Sequence, residues 1–335
     1  MSAAPQVSVV IPAHNRVGPL RDTIQSVLAA TRRVAAEIVL VDDGSEPPLS
    51  EILGDIGAGL VRHVRQTNQG SIAARLHGLA EARGDHVLFL DSDDLVHPEK
   101  FDVILPAIAV ARADVAYDDL ARPIRENAGW HFESVEALRR SSEPAEFYLR
   151  IQPVPHSPTY RRDYLLRHLE KPLIPAKREF DPAGDVWLYY NLCAFPATIV
   201  KVDRALTAIG IHNEERYSRH WERIAVAALG VMEAFAAACP QVADLLSTRR
   251  VAGECAFDSW RRLPRGFDPD FDRRLLQLWE NAPRGPVEHL GGPFFQKLAR
   301  LFGPKAAGRI IRYSQPRYSR VRSLSPEAYR QLFSK

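Results

Sequence analysis

The sequence lacks the features that mark disulfide-rich, zinc-ribbon and membrane-spanning proteins. Its 335 residues include three cysteines, Cys193, Cys239 and Cys255, which are far apart and form no CxxC pair. This spacing indicates neither a disulfide framework nor a cysteine metal site, and it fits a reducing compartment. The longest apolar run, residues 224–239, contains Glu233 and is too short to span a bilayer unaided. The first residues show no basic stretch followed by a long apolar run, so we expect no secretory signal and a cytoplasmic protein.

Several motifs of well-known enzyme classes are also absent. The chain has no GxxxxGK[ST] loop and no GxGxxG after its first apolar run, which argues against a P-loop NTPase and a dinucleotide-binding fold. HExxH and GxSxG are missing too, so the zincin and α/β-hydrolase interpretations lose their main support.

The first 120 or so residues alternate short apolar, β-branched runs with amphipathic helical patterns. The runs predict buried strands at residues 7–11, 38–41, 60–64, 87–90 and 115–117. Helices are predicted from Pro19, over residues 71–83 and from Pro98. This order predicts an α/β fold with a doubly wound, mostly parallel sheet, whose ligands bind at the carboxyl ends of the strands.

The remainder of the chain has a different pattern. Residues 120–215 are irregular and rich in proline, and the chain then becomes mainly helical, with helices predicted over 224–238, 242–262 and 270–281. Residues 289–335 carry a net charge of +9 against −6 for the rest. This asymmetry indicates either contact with an anionic partner or a solvated basic surface.

Carboxylates cluster where two of the predicted strands end. Asp42 and Asp43 follow one strand, and Asp91, Asp93 and Asp94 follow another. Such closely placed carboxylates ionise most easily around a cation, and hard oxygen ligands suit Mg²⁺ or Mn²⁺ beside a diphosphate. The alternative is that they are ordinary turn and N-cap residues.

Three segments in order resemble the family-two glycosyltransferases of the GT-A fold. They are VSVVIPAHNR, EIVLVDDGS and NQGSIAARLHGLAEARGDHVLFLDSDDLVHPEKF. The resemblance is close over residues 7 to about 105 and loose to about 215. It implies a glycosyltransferase domain over 1–215, with a nucleotide-sugar half to about 120 and an acceptor half over 121–215. A helical C-terminal region with a basic tail would then occupy 216–335.

The resemblance also implies a nucleotide-sugar donor, most often a UDP-sugar. Arg75 would contact the donor, unless it is an ordinary surface arginine. Asp42 would accept a hydrogen bond from the base, while Asp43 would shape the turn with Gly44 and Ser45. The base and ribose would lie against the loop formed by Pro12, Ala13, His14 and Asn15.

By the same resemblance, DSDD corresponds to the family's DxD-type metal motif. Asp93 would lie at the ribose and metal, Asp94 would bind the metal, and Asp91 would be structural. His212 would approach the metal or diphosphate, or simply cap a strand. The expected cofactor is Mg²⁺ or Mn²⁺, because a cation neutralises a departing diphosphate.

The family's catalytic base lies in an acidic motif before an aromatic helix, which corresponds here to FDPAGDVWLYYNL. Asp185 is the candidate base, with Asp181 as the alternative, and Gly184 stands where the family usually has Glu. A helix N-cap carboxylate would explain Asp185 equally simply.

The sequence thus predicts an inverting, metal-dependent glycosyltransferase acting on a carbohydrate, lipid-linked or other hydroxyl acceptor, in surface polysaccharide or glycolipid synthesis, with no nucleic-acid partner. The alternatives are a sugar nucleotidyltransferase, disfavoured by the loop PAHNRVGP, and a non-catalytic nucleotide-sugar-binding or scaffold protein. In the basic tail, Leu298, Leu301 and Phe302 predict one apolar helix face beside cations. Residues 293–335 are therefore expected either to touch the inner face of a membrane or to pack as a lid or homodimer contact.

Overall fold

The computed structural model describes residues 4–126, 129–210 and 220–332. Within these ranges the strands are β1 (Val7–Ala13), β2 (Ala36–Asp43), β3 (Val61–Gln66), β4 (His86–Phe89), β5 (Leu95–Val96), β6 (Val115–Glu126), β7 (Gly129–Glu136), β8 (Thr159–Arg161) and β9 (Ile199–Ala208). The helices are α1 (Gly18–Ala30), α2 (Leu49–Leu53), α3 (Ser71–Glu81), α4 (Lys100–Ala111), α5 (Arg162–Leu169), α6 (Gly184–Leu192), α7 (Trp221–Ala238), α8 (Leu246–Arg262), α9 (Pro269–Asn281), α10 (Pro293–Phe302), α11 (Pro304–Arg312), α12 (Tyr318–Val321) and α13 (Pro326–Gln331).

The strands form one mixed sheet in the order β3-β2-β1-β4-β8-β6-β9-β5, with β7 paired to β6. Strands β3, β2, β1 and β4 are parallel, and so are β6 and β9. Strand β8 lies antiparallel between β4 and β6, so the two parallel groups point the same way. The doubly wound, mostly parallel sheet expected from the sequence is confirmed, and β5, β7 and β8 are its antiparallel members.

The parallel half of the sheet is buried on both faces by helices. Every residue of β1 is buried. Val9 belongs to one apolar cluster with Leu20 of α1, whereas the next residue, Val10, belongs to another with Ile72 of α3. Because successive side chains point to opposite faces, α1 and α3 cover the two sides of the sheet. This explains why the strands appear in the sequence as continuous apolar runs.

The proline-rich stretch is more regular than its sequence pattern indicated. It contains the β6–β7 hairpin, β8, α5, α6 and β9. Of these, the apolar pattern predicted only the beginning of β6, and the family resemblance implied the aromatic helix α6. Strand β7 is mostly exposed and β8 has three residues, so neither produces an apolar run. Short or exposed strands are held by pairing with their neighbours and leave little signal in a single sequence.

Helix α7 joins the sheet to the C-terminal helices. Its Val231 and Phe235 pack in the large cluster against the sheet, whereas Leu229 packs in a second cluster with Trp260 of α8 and Trp279 of α9. The apolar run at residues 224–239 is therefore a helix buried between two cores. Across the described residues, no helix combines the length and apolar character needed to cross a membrane.

Candidate active site

The loops that follow β1 and β2 are fastened together at the carboxyl edge of the sheet. Ala13 and Asp42 are register partners at the ends of these strands. The Asn15 backbone N–H donates to Ser45 Oγ at 2.9 Å, and the Glu46 N–H donates to Asn15 Oδ1 at 2.9 Å. Asn15 has a φ of 49°, a left-handed conformation that asparagine tolerates well. The predicted donor loop is thus rigidly placed beside the DDGS turn.

Pro12 and Ala13 are buried within β1, whereas His14 is exposed beyond its end. The His14 ring atom Nε2 lies 3.1 Å from Asn68 Nδ2, so the loop before α3 borders the same cleft. Arg178 donates to the Asn68 carbonyl at 3.0 Å and therefore borders the cleft as well. An exposed imidazole held between amides is available to stack on a base. Contact of this loop with the base and ribose, which the resemblance implied, stays a prediction.

The two carboxylates of the DDGS turn hold backbone. Asp42 is buried and accepts the backbone N–H groups of Ser45 at 2.8 Å and Leu49 at 3.0 Å. Asp43 accepts those of Gln69 at 2.8 Å and Gly70 at 2.9 Å. The DDGS turn is thus held by Asp42, although the resemblance assigned it to Asp43, and Asp43 holds the loop before α3 instead. Both oxygens of Asp42 have backbone partners, so its predicted bond to a nucleobase would have to be made in addition to these.

The carboxylates of DSDD point to three different partners. Asp91 Oδ1 accepts from Arg75 Nη2 at 2.6 Å, and Asp93 Oδ2 lies 2.7 Å from Arg16 Nη1. Asp94 Oδ1 accepts the Gly210 backbone N–H at 2.8 Å. The motif therefore links the loop after β1, helix α3 and the segment that follows β9.

Arg75 joins the DSDD motif to the candidate base. Its Nη1 donates to Asp185 Oδ1 at 2.9 Å, while its Nη2 holds Asp91. Burial opposes the charge on Arg75, but Asp91 and Asp185 together raise the pKa of its guanidinium above the ordinary value. The sequence placed Arg75 at the donor, and the structure places this nearly buried side chain between two carboxylates.

The two carboxylates on Arg75 have opposite pKa shifts. Burial favours neutral Asp91, but Arg75, His156 and Arg16 outweigh it and hold the Asp91 pKa below the ordinary value. For Asp185, burial is the largest cause and raises the pKa despite the opposing charge of Arg75. Neighbouring titratable groups whose pKa values are shifted in opposite directions are a recurrent property of active sites.

Asp185 retains an open oxygen. Its side chain is 45% exposed at the N-terminal end of α6, and Oδ1 accepts from Arg75. Oδ2 has no hydrogen-bond partner within the described residues. No side-chain bond from Asp185 caps α6, so the simple N-cap explanation does not apply.

Asp181, the alternative base, is engaged at the beginning of α3. Its Oδ1 accepts the Ile72 N–H at 3.0 Å and the Ser71 hydroxyl at 3.2 Å. Burial raises the Asp181 pKa against the lowering effect of these bonds. This carboxylate serves as a cap supplied to α3 by a distant segment.

His156 is a buried histidine that the sequence analysis did not single out. It is fully buried on the loop before β8, and its Nε2 lies 3.2 Å from the Ala208 carbonyl oxygen. Its Nδ1 lies 3.3 Å from Asp94 Oδ2, yet it has no hydrogen-bond partner within the described residues. Burial lowers the His156 pKa to about 4, so the ring is neutral. Because a carbonyl accepts, Nε2 carries the proton and Nδ1 presents a lone pair to Asp94.

His212, the third predicted metal ligand, lies outside the described residues. Among the residues that are described, no three His, Cys, Asp or Glu side chains are grouped to hold one metal ion. The pair that fits a cation is Asp94 Oδ2 with the orphaned His156 Nδ1.

The sequence profile described as "Glycosyl transferase family 2" matches residues 8–169. These residues are a family-two glycosyltransferase domain. The profile thus covers β1 to α5, including the DDGS and DSDD turns, and ends before the segment that carries Asp181 and Asp185.

Two curated relatives each match about a third of the chain. An "Uncharacterized glycosyltransferase" of Rickettsia felis is 38% identical over 101 residues, which are 30% of this chain and 17% of that protein. The "Undecaprenyl-phosphate 4-deoxy-4-formamido-L-arabinose transferase" of Pseudomonas paraeruginosa is 37% identical over 132 residues, or 37% of this chain and 38% of that protein. The chain therefore spans well under half the length of these relatives.

A solved structure resembles nearly the whole chain. S. aureus TarS 1-349 superposes with a TM-score of 0.61 over 92% of this chain and 90% of that one, at 18% identity. A second structure of the same protein, in complex with UDP-GlcNAc, gives a TM-score of 0.59 over 95% and 92%. At this identity the likeness shows the fold alone, and it extends to the helical C-terminal region.

Two residues of the site were missed by sequence reasoning, Arg16 and His156. Arg16 directly follows the PAHN segment, and an arginine near strand-end carboxylates is a recognisable signal. His156 gave no such signal, because nothing in HSPTYRR indicates that it lies beside Asp94. Arg161 and Arg162, in the same segment as His156, donate to the carbonyls of Arg112 at 3.1 Å and Ala82 at 2.6 Å.

Proposed function

We propose that this protein is an inverting glycosyltransferase that moves a sugar from a UDP-sugar to an acceptor hydroxyl. The observation that carries the proposal is the Arg75 bridge, which holds the candidate base Asp185 beside the DSDD motif of a family-two domain. TarS, which shares the fold, has been solved with UDP-GlcNAc and with UDP. This supports a uridine nucleotide as the donor's leaving group.

Asp185 has the properties required of a general base. Its carboxylate is anchored through one oxygen, open through the other, and more basic than an ordinary aspartate because of burial. In the proposed step Asp185 Oδ2 takes the proton of the acceptor hydroxyl while the hydroxyl oxygen attacks the anomeric carbon of the donor sugar. The bond from this carbon to the diphosphate oxygen breaks, and the nucleoside diphosphate leaves with the electron pair. A single displacement of this kind inverts the anomeric centre.

Asp94 and His156 are the residues we propose for a divalent cation, with Asp93 at the ribose. A bound cation would neutralise the charge that develops on the departing diphosphate. The donor set of one carboxylate oxygen and one imidazole nitrogen favours Mn²⁺ over Mg²⁺, which prefers oxygen ligands and retains its waters. The second Asp94 oxygen is held by the Gly210 backbone, so the carboxylate is oriented before a cation arrives.

The acceptor is proposed to be a hydroxyl of a carbohydrate or lipid-linked molecule. The relative named as an undecaprenyl-phosphate transferase supports the lipid-linked class. Gly184 packs closely against the Arg75 bridge, since a Cβ there would lie 3.1 Å from Arg75 Nη1.

The cation assignment is tested by Mn²⁺ binding in the presence of UDP, followed by electron paramagnetic resonance. We expect Asp94→Asn and His156→Gln each to weaken Mn²⁺ binding by about tenfold or more. His86→Gln, at the opposite end of β4, is the matched control and should bind as the wild type does. Unchanged binding in His156→Gln, with a folded protein by circular dichroism, would remove His156 from the site.

The activity itself is tested with a panel of UDP-sugars and Mn²⁺, measuring UDP release by the purified chain. We expect hydrolysis or transfer with at least one donor, and its loss in Asp94→Asn. Absence of turnover with every donor and acceptor, despite UDP binding, would favour the non-catalytic alternative.

A further inference from the structure

Large apolar side chains are exposed together on the C-terminal helical hairpin, α10 and α11. Five of the eleven large hydrophobic residues that are exposed in the described part of the chain lie within residues 293–313. They are Phe294 at 68%, Leu301 at 75%, Phe302 at 62%, Ile310 at 44% and Tyr313 at 74% exposure. We call these five the hairpin surface. Single exposed apolar residues are normal, but such a concentration marks an interaction site.

Helix α10 is apolar on two faces. Phe295 and Ala299 are buried in the C-terminal cluster, and Leu298 packs against it. Phe294, Lys297 and Leu301 follow at i, i+3 and i+7, so they share the opposite, exposed face. The sequence grouped Leu298 with Leu301 and Phe302 on one apolar face, whereas in the structure Leu298 packs on the buried side and the other two are exposed. The fold of the hairpin therefore does not require the exposed apolar residues.

The charged residues of the hairpin helices themselves are all basic. Helices α10 and α11 contain no Asp or Glu. Lys297 and Arg309 are exposed and form no ion pair within the described residues, whereas Arg300 lies 2.6 Å from Glu288 and Lys305 pairs with Glu280. Cations without an ion pair, beside exposed aromatic side chains, complement a partner that offers both negative charge and an apolar interior.

A groove of about 640 Å³ lies beside the turn between the two helices. Trp279, Leu290 and Phe302 line it, and Arg284 and Lys305 lie at its edge. The Arg284 guanidinium is 4.2 Å from the centre of the Trp279 ring. Glu280 also lines the groove and pairs with Lys305, so Arg284 is the cation that suits the phosphate of a phospholipid whose chain enters the groove.

We propose that the hairpin surface docks the protein on an anionic lipid bilayer. Aromatic and aliphatic side chains enter the interface, and the cations meet lipid phosphates. A second copy of this chain fits less well, because self-association would bring Lys297 and Arg309 of both copies into one interface. The proposal concerns binding alone and is independent of sugar transfer.

Co-sedimentation of the full chain with phosphatidylcholine vesicles, with and without phosphatidylglycerol, tests the proposal. We expect binding to the anionic vesicles that weakens with salt. Lys297→Gln with Arg309→Gln should weaken it by about 25-fold, since each cation near such a surface strengthens partitioning about fivefold. Phe294→Ser with Leu301→Ser should weaken it by about tenfold or more.

Val110→Ser is the matched control, because Val110 is 88% exposed on α4 and far from the hairpin in sequence. It should bind vesicles as the wild type does. Failure of the wild type to bind, or equal binding by all variants, would overturn the proposal. Conversion of a dimer to a monomer by the hairpin variants, measured by light scattering without vesicle binding, would assign the surface to self-association instead.

Discussion

At the residue scale, the site is organised by one arginine. Arg75 lies on α3 and pairs with Asp91 after β4 and with Asp185 on α6, which is 110 residues further along the chain. One cation therefore keeps Asp91 ionised and orients Asp185 at the same time. Removing it would leave two partly exposed carboxylates close together without their shared cation, which is costly.

Replacing Arg75 should change the pH dependence of turnover. Asp185 acts as a base only when ionised, so activity falls as the pH drops through its pKa. Arg75 lowers that pKa against the effect of burial, and its loss raises the pKa further. We therefore expect Arg75→Gln to shift the acid limb of the kcat/KM profile to higher pH and to lower kcat by about 100-fold.

Arg75→Lys is the conservative comparison. Because it retains a cation, its acid limb should shift less than that of Arg75→Gln. Some shift is still expected, because lysine cannot bridge both carboxylates through a planar fork. An acid limb that stays in place in Arg75→Gln would mean that Asp185 is not the titrating base.

At the element scale, the beginning of α3 is held by contacts from two sides. Asp43 accepts the Gly70 N–H, and Asp181 accepts the Ile72 N–H. Gly70 has a φ of 99°, and a Cβ there would lie 1.8 Å from Asp181 Oδ2. Both the backbone conformation and the space require glycine at this position.

Gly70→Ala should lower the free energy of unfolding by about 2–3 kcal/mol, combining left-handed strain with the displacement of Asp181. Gly59→Ala is the matched control, since Gly59 has a φ of 87° and a Cβ added there would meet nothing within 4 Å. Gly59→Ala should lower the free energy of unfolding by about 1 kcal/mol, from backbone strain alone. Urea unfolding of both variants measures the difference, and equal losses would contradict the close approach of Asp181.

The elements themselves were predictable to different degrees. Strands β1, β2 and β4 are buried on both faces, so each is a recognisable apolar run. The DDGS and DSDD turns follow directly from those strand ends. Arg75, Asp91 and Asp185 were each singled out from the sequence, but the bridge that joins them was not predicted, because pairing between α3 and α6 depends on tertiary packing. The β6–β7 hairpin and His156 were missed for the same reason.

At the scale of the whole molecule, the described residues form two cores that share helices. Helix α7 contributes Val231 to the sheet cluster and Leu229 to the C-terminal cluster, and α8 contributes to both as well. Arg150, in the segment before β8, also pairs with Glu254 of α8. The proposed boundary near residue 215 therefore divides two units that depend on each other for burial.

This sharing predicts cooperative unfolding. Far-ultraviolet circular dichroism and tryptophan fluorescence should give one coincident thermal transition, although Trp187 lies in the sheet cluster and Trp260 and Trp279 lie in the other. Two separated transitions would mean that the C-terminal helices fold independently of the sheet.

The central claim is that Asp185 is the base of a UDP-sugar transferase. Steady-state turnover and UDP calorimetry of Asp185→Asn test it most directly, with Asp181→Asn as the matched carboxylate control. The account predicts that Asp185→Asn loses transfer by about 1,000-fold while donor affinity stays nearly unchanged, because the base acts on the acceptor. Asp181→Asn should retain most of its turnover. Near-wild-type transfer by Asp185→Asn would contradict the account.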